Sequence, residues 1–236
     1  MHIDVDKLER FFSEFELARP FGKPTSEPAK AAVYPYSDAL SKFLTKLREP
    51  LERTRASGEL LNVWWLAGVG RDELTNTELL GWLLDCNGSH SRGNRVWESI
   101  LKRIARDLPT GFPFGPHLVK NYITRLEPYP LGNTESRIDI ELEGDTFLIF
   151  VEAKIEATYD RDQIDRYLKL LSHKADNRQY FLLFISSSPP DEIPPDKVVI
   201  VTWRDIAKTI NDLIRNEEAN FVSILFKQLS RHYASL

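Results

Sequence analysis

Cysteine is nearly absent from this chain. Of its 236 residues only Cys86 carries a thiol, which excludes a disulfide framework and suits a reducing compartment. No histidine arrangement near Cys86 marks a thiol protease, and a small buried hydrophobe is the ordinary use of such a residue. Long apolar runs are missing as well: none approaches the ~20 residues that span a bilayer. The opening "MHIDVDKLERFFSEFE" is acidic and amphipathic rather than basic and then apolar, so it does not read as a signal peptide. A cytoplasmic location without a membrane partner is the expectation. Positive charge is not in excess either. The net charge is −4 and the pI near 5.8, so nucleic-acid binding would have to come from a local basic face. The chain also has no G-x-x-x-x-G-K-[ST] loop, no G-x-G-x-x-G after a strand and no G-x-S-x-G elbow.

What is present is enough apolar and aromatic material, 42% and 11%, to fill a real core. Residues 4 to 17 place Val5, Leu8, Phe11, Phe12 and Phe15 at helical spacing, and the proline-punctuated "ARPFGKPTSEPAK" ends that pattern. Residues 37 to 56 predict a second amphipathic helix, with Pro50 marking a kink or a new start. Residues 1–58 therefore read as an N-terminal helical extension and 59–236 as the main domain. "ELLNVWWLAGVG" predicts a short buried helix, with Trp64, Trp65 and Trp82 as core residues. "RDELTNTELLGWLLD" and residues 94 to 107 predict two more helices, separated by the turn chemistry of "CNGSHSRGN". His90, in that loop, reads as solvated. Arg92, Arg95, Lys102, Arg103 and Arg106 cluster among few acids, which is either a nucleic-acid-binding face or a solvated helix face.

After residue 108 the periodicity changes. "HLVKNYITRLEPY" and "SRIDIEL" alternate apolar and polar, while "DTFLIFVEAK" is the continuous apolar run of a strand buried on both faces. The intervening "EGD" is short enough to force an antiparallel hairpin. "DRDQIDRYLKLLSHK" predicts a crossover helix, with Asp160 and Asp162 as its N-terminal acids, and "QYFLLFISS" and "KVVIVTW" predict strands. Thr202 is placed to cap the next helix with Asp205 at its third position. The resulting fold class is mixed α/β: about five strands in a central mixed sheet flanked by helices, the strands on either side of the crossover being parallel neighbours.

The hairpin raises a chemical question. Asp139 and Glu152 would lie side by side on adjacent apolar strands, where two desolvated carboxylates repel and raise each other's pKa. A divalent cation removes that conflict, and oxygen donors without His or Cys suit Mg²⁺ or Mn²⁺ rather than zinc. Lys154 points to the same side as Glu152, while the Ala153 carbonyl offers a further oxygen. A lysine beside a metal and two carboxylates can orient a water and offset charge on phosphorus. A surface salt-bridge cluster is the plainer use of the same three side chains.

The pair "RIDI" and "VEAK" resembles the D…ExK signature of the PD-(D/E)xK nuclease superfamily, and "DQIDRY" resembles its Q-x-x-x-Y element, matched by Gln163 and Tyr167. Upstream, "GVGRDELTNTELLGWLLDCNGSHSRG" is similar to the helix before the core in one family of mostly uncharacterised bacterial members, with Glu73 at the position of its acid. The likeness spans residues 59 to 215. Asn76-Thr77 stand where that family tends to have His-Ser, Cys86 and Ser91 replace a proline and a glycine, and Ile138 replaces the proline of the superfamily name. The resemblance implies a restriction-endonuclease-like core and Mg²⁺- or Mn²⁺-dependent phosphodiester hydrolysis, with DNA as substrate. It implies Asp139, Glu152, Ala153 and Glu73 as metal ligands, Lys154 on the attacking water, and Gln163 steadying Lys154 or the phosphate. Arg92, Arg95, Lys102, Arg103 and Tyr167 are the residues expected to contact nucleic acid. Restriction, phage defence and repair are the roles such a resemblance carries, and a homodimer is what two-strand cleavage by a single-site nuclease calls for. A nuclease fold that has become a regulatory or binding module is the alternative reading.

Overall fold

A run such as "FLIFVEA" has no polar side to offer water, so it has to lie between two layers. The computed structural model describes residues 37–58, 60–109, 112, 115, 121–127, 137–156 and 159–236. Its elements run α1 (Ser37–Ala56), α2 (Val63–Leu66), α3 (Glu73–Leu84), α4 (Arg95–Arg103), β1 (Tyr122–Leu126), β2 (Ile140–Gly144), β3 (Phe147–Ala153), α5 (Arg161–Ala175), β4 (Gln179–Ser186), β5 (Val198–Thr202), α6 (Trp203–Ile214) and α7 (Phe221–Ala234). The predicted helix over residues 4 to 17 lies outside the described residues. The chain divides into two units between Arg53 and Thr54. In the first, α1 continues through Pro50 as one element instead of restarting there.

The second unit is built on a five-stranded sheet in the order β1-β2-β3-β4-β5. β1, β2 and β3 are antiparallel neighbours, whereas β3, β4 and β5 are parallel, as a helical crossover requires. Every residue of β3 is buried. Its odd-numbered side chains, Phe147, Ile149 and Val151, join Leu80, Leu83, Trp97, Ile100, Trp203 and Phe226 of α3, α4, α6 and α7 in one apolar layer. Its even-numbered Leu148 and Phe150 join Ile164, Tyr167 and Leu171 of α5 in the other. The period of two in the strand thus divides the core into two layers.

Side-chain caps place the helix starts. Asp72 accepts the Thr75 N–H at 2.8 Å, Asp160 accepts that of Asp162 at 2.9 Å, and Thr202 with Asp205 forms the expected capping box. The structure corrects the sequence reading in three places. The helix predicted in "ELLNVWWLAGVG" is a single turn, and Trp65 and Leu66 are 75% and 59% exposed rather than core, because only one face of so short a segment meets α7. The helix predicted to residue 107 ends at Arg103. The hairpin loop is Asp145-Thr146, not "EGD", because Gly144 still pairs with Tyr122.

β2 carries Asp139, Glu141 and Glu143 on or just before it, two residues apart and so on one face. Glu141 is fully buried, yet it meets the Arg125 guanidinium at 2.7 Å and Lys174 Nζ at 2.6 Å. Glu143 meets Arg178 at 2.7 Å and also contacts Arg125. Those cations, from β1, the end of α5 and the turn after it, allow an acidic strand to be buried. Asp139 has no ion pair among the described residues.

Gly144 also lets the Phe147 ring lie over the backbone: a Cβ there would come within 2.4 Å of that buried ring. Gly144→Ala is expected to cost about 1–3 kcal/mol, from the range for overpacked cores, and to lower Tm by several degrees. Thermal denaturation followed by circular dichroism measures it; an unchanged Tm would show that Phe147 is not locked.

Candidate active site

The remaining acids of the hairpin meet at its open end. Asp139 lies just before β2, and its Oδ2 accepts the Ala153 N–H at 2.8 Å, which ties it to the end of β3. Glu152 is the penultimate residue of β3 and 0% exposed. Its Oε1 meets Lys154 Nζ at 2.8 Å and Gln163 Nε2 at 2.9 Å. Its Oε2 is buried with no hydrogen-bond partner. Lys154 Nζ also reaches Glu73 Oε1 at 3.2 Å, and Glu73 Oε2 accepts the Ile155 N–H at 3.1 Å. The structure therefore brings together Asp139, Glu152, Lys154, Glu73 and Gln163.

Each of these side chains is held by the element that carries it. Glu73 opens α3, directly after its Asp72 cap. Gln163 lies in the first turn of α5, whose Asp160 cap sits opposite the end of β3, and its Nε2 also donates to Tyr167 Oη at 2.8 Å. Tyr167 Oη in turn donates to the Arg137 carbonyl at 2.8 Å. Lys154 is pinned through its backbone: its N–H donates to the Ile185 carbonyl at 2.7 Å and its carbonyl accepts from Trp203 Nε1 at 2.9 Å. No local pattern in the sequence marks Trp203 for this role, since it acts from the far end of β5.

The electrostatics follow from burial. Desolvation pushes the Glu152 carboxyl up from 4.5 to about 7, and the Asp139 charge adds to that, outweighing the nearby Lys154 ammonium. Asp139 is likewise raised, chiefly by burial, against the Ala153 hydrogen bond and the Lys154 charge. Burial opposes the charge on Lys154, but Glu152, Asp139 and Glu73 prevail and hold its pKa above the ordinary lysine value. Tyr167 is pushed up to about 12 by burial and the Glu152 charge. Lys154 therefore stays protonated, and the strain in the cluster falls on the two carboxyls.

A cleft of about 280 Å³ opens beside them, lined among others by Glu73, Thr77, Glu127, Arg137 and Asp139. The Thr77 hydroxyl is buried there without a partner. Arg137, 3.3 Å from Glu127, is the cation of this wall. Its adjacency to Asp139 in "RIDI" is the signal that could have flagged it. A larger depression of about 380 Å³ lies beyond Ile155, between Tyr159 and residues 186 to 192.

The other expected contacts stand apart from the cluster. Arg92 and Arg95 pair with Glu217 at 2.5 and 3.1 Å, Lys102 with Glu98 at 2.7 Å, and Arg103 with Asp212 at 2.8 Å and the Thr209 hydroxyl at 2.6 Å. The segment reads as poor in acids because most of its partners arrive more than a hundred positions later, from α6 and the loop after it. Tyr167 is buried, and its hydroxyl is engaged within the protein, so it presents no face to a nucleic acid. His90 is not solvated. It is 1% exposed, packs edge-on against Trp82 with ring centroids 5.2 Å apart, and its Nδ1 accepts the Arg92 N–H at 3.0 Å. Burial lowers its pKa.

Among the described residues no three His, Cys, Asp or Glu side chains converge to hold a metal by themselves, since the Lys154 ammonium sits between Glu73 and Glu152. The donor set nonetheless fits a hard cation. An orphaned carboxylate oxygen and a second raised carboxyl give two oxygen ligands, and Mg²⁺ commonly takes only one or two carboxylates and fills the rest with water and phosphate.

A three-layer α/β domain with D…ExK at the end of its central hairpin is the architecture of a restriction-endonuclease-like nuclease. The chain belongs to the PD-(D/E)XK nuclease superfamily, whose profile matches residues 61–234. That match runs past the resemblance noted in the sequence and takes in α7. No curated protein matches the chain. Membership in this superfamily points to metal-dependent nuclease chemistry and a nucleic-acid substrate. No helix among the described residues is long and apolar enough to cross a membrane.

The raised carboxyl has a measurable consequence. A carboxyl pKa elevated by folding gives stability below 4.5 that is lost as pH rises through about 7. With metal chelated, Glu152→Gln removes this loss, so its Tm should overtake the wild type's across that window by an amount equivalent to about 1–3 kcal/mol. Parallel Tm-against-pH curves for the two proteins would rule out Glu152 as the strained group.

Proposed function

We propose that this chain is a Mg²⁺-dependent nuclease that hydrolyses phosphodiester bonds in DNA, residues 59–236 forming the nuclease domain and 1–58 an N-terminal extension. The observation that carries this reading is Glu152 Oε2: a fully buried carboxylate oxygen, aimed at nothing in the protein, beside a second raised carboxyl. Asp139 and Glu152 would hold the cation, with the Ala153 carbonyl and Glu73 as further oxygen donors, and Mn²⁺ would serve in its place. The bound metal supplies positive charge against the developing charge on the phosphoryl oxygens.

The protein's own groups do the remaining work. Lys154 is protonated, so it orients the attacking water and offsets phosphoryl charge rather than accepting the water's proton. Gln163 ties Glu152 Oε1 to Tyr167, which leaves Oε2 as the free oxygen. Arg137 lies where it can meet a flanking phosphate. The cleft lined by Glu73 and Asp139 and the depression lined by Ile155 and Tyr159 would give a strand room near the reacting position. Arg95 and Lys102 are exposed enough to add phosphate contacts from α4, whereas Arg92 and Arg103 are more deeply engaged in their pairs. A single site cuts one strand, so double-strand cleavage would call on two copies of the chain.

Cleavage of linear, circular and single-stranded DNA and of RNA, with and without Mg²⁺, is the direct test. DNA should be cut in a Mg²⁺-dependent manner. Lys154→Ala and Asp139→Ala should each lower the rate by about a thousandfold, the upper range for losing one electrostatic contact to the transition state, while circular dichroism stays native. Mg²⁺ should raise the Tm of the wild type but not of Asp139→Ala, because only a folded site binds it. Retained cleavage in both variants, or a wild type inert on every substrate, would overturn the reading.

A further inference from the structure

Glu73 meets Lys154 only if the first turn of α3 is held in place, and that turn follows a loop with Gly68 and Gly70 at left-handed φ values of 72° and 48°. The hold comes from one turn further along. Asn76 is 0% exposed, and its Nδ2 donates to the Gly70 carbonyl at 3.2 Å and the Asp72 carbonyl at 2.7 Å. Two carbonyl partners fix which end of the amide carries the nitrogens, so Oδ1 must face the other way. There it meets His232 Nε2 at 2.8 Å. An amide oxygen can only accept, so His232 presents Nε2–H. The next residue, Tyr233, donates its hydroxyl to the Asn76 carbonyl at 3.1 Å. Arg71 adds a parallel tie, with Nη1 on the Leu236 carbonyl at 2.9 Å and Nη2 on the Ile155 carbonyl at 3.5 Å. α7 thus grips the first turn of α3 through Asn76, while Arg71 joins Leu236, beyond the end of α7, to the residue that follows Lys154.

We propose that Asn76 and His232 are positioning residues of the nuclease site: through them α7 sets the first turn of α3 and so holds the Glu73 carboxylate against Lys154 Nζ and the Ile155 N–H. This rests on the proposed nuclease function for its catalytic readout and on geometry alone for its structural one. His232 touches no reacting group, and no local pattern in the sequence pairs it with a residue 156 positions away.

Five proteins test it: wild type, His232→Ala, Glu73→Gln, the double variant, and His232→Gln as the conservative control. His232 is only half-buried, so His232→Ala keeps the fold. We expect kcat to fall about tenfold with KM within about twofold, the lower range for losing a group that orients a metal-site residue. His232→Gln, whose amide nitrogen can donate to Asn76 Oδ1, should recover most of that loss. In the Glu73→Gln background His232→Ala should cost little further, in kcat or in urea midpoint. Three results would overturn the proposal: an unchanged kcat beside a lowered midpoint, equal losses in His232→Ala and His232→Gln, or strict additivity with Glu73→Gln. If wild type cuts nothing, the nuclease reading falls, and the urea-midpoint cycle alone decides whether His232 and Glu73 are coupled.

Discussion

Desolvation of carboxylates in the β2–β3 hairpin is the constraint on which the rest of this structure turns. Four acids, Asp139, Glu141, Glu143 and Glu152, lie in or beside two adjacent strands that are largely removed from water. Taking a charge out of water costs several kcal/mol unless a partner compensates. Glu141 and Glu143 have theirs in Arg125, Lys174 and Arg178, at distances that leave little to explain. Glu152 has half of one, because Lys154 and Gln163 both serve Oε1 and leave Oε2 empty-handed. The same hairpin therefore contains a neutralised end and an unneutralised end. The latter lies beside the cleft that Asp139 lines.

The surrounding elements make sense as devices for keeping that end rigid and accessible. β3 and β4 run parallel and stop together, so their carboxyl ends open where open α/β sheets commonly bind ligands. α5 returns from that edge with its first turn facing Glu152, which is why a glutamine there can reach it. On the opposite face Trp203 holds the Lys154 carbonyl while belonging to the main apolar core. Stability is thus spent locally: a folded protein retains two raised carboxyls because the packing around them over-determines their position.

Overall charge and local patterning proved to be different questions. An acidic chain with one basic segment invites the idea that the segment is the binding face. In three dimensions most of that segment's cations are matched by acids from α6 and the loop after it, so the net field there is far weaker than the string of letters implies. The converse holds at the candidate active site, where Arg137 looked unremarkable in sequence yet lies on the wall of the cleft beside Asp139.

Much of the architecture was legible because it depends on short-range periodicity. The switch from helical spacing to alternation, the unbroken apolar run of β3, the Thr202–Asp205 cap and the tight hairpin each constrain only neighbouring residues, and the parallel pairing of β3 with β4 follows from the crossover between them. Asp139, Glu152 and Lys154 were legible for the same reason: acids on apolar strands are locally incongruous, and a hairpin makes them neighbours. Tertiary structure alone decided what lies across the fold. It buried His90 and exposed Trp65, matched Arg92 and Arg103 with distant acids, engaged Tyr167 internally, and bonded Trp203 to the Lys154 carbonyl and His232 to Asn76. Hydrogen bonds and ion pairs between residues a hundred positions apart leave no periodic trace, because their geometry is set by packed layers and not by spacing along the chain.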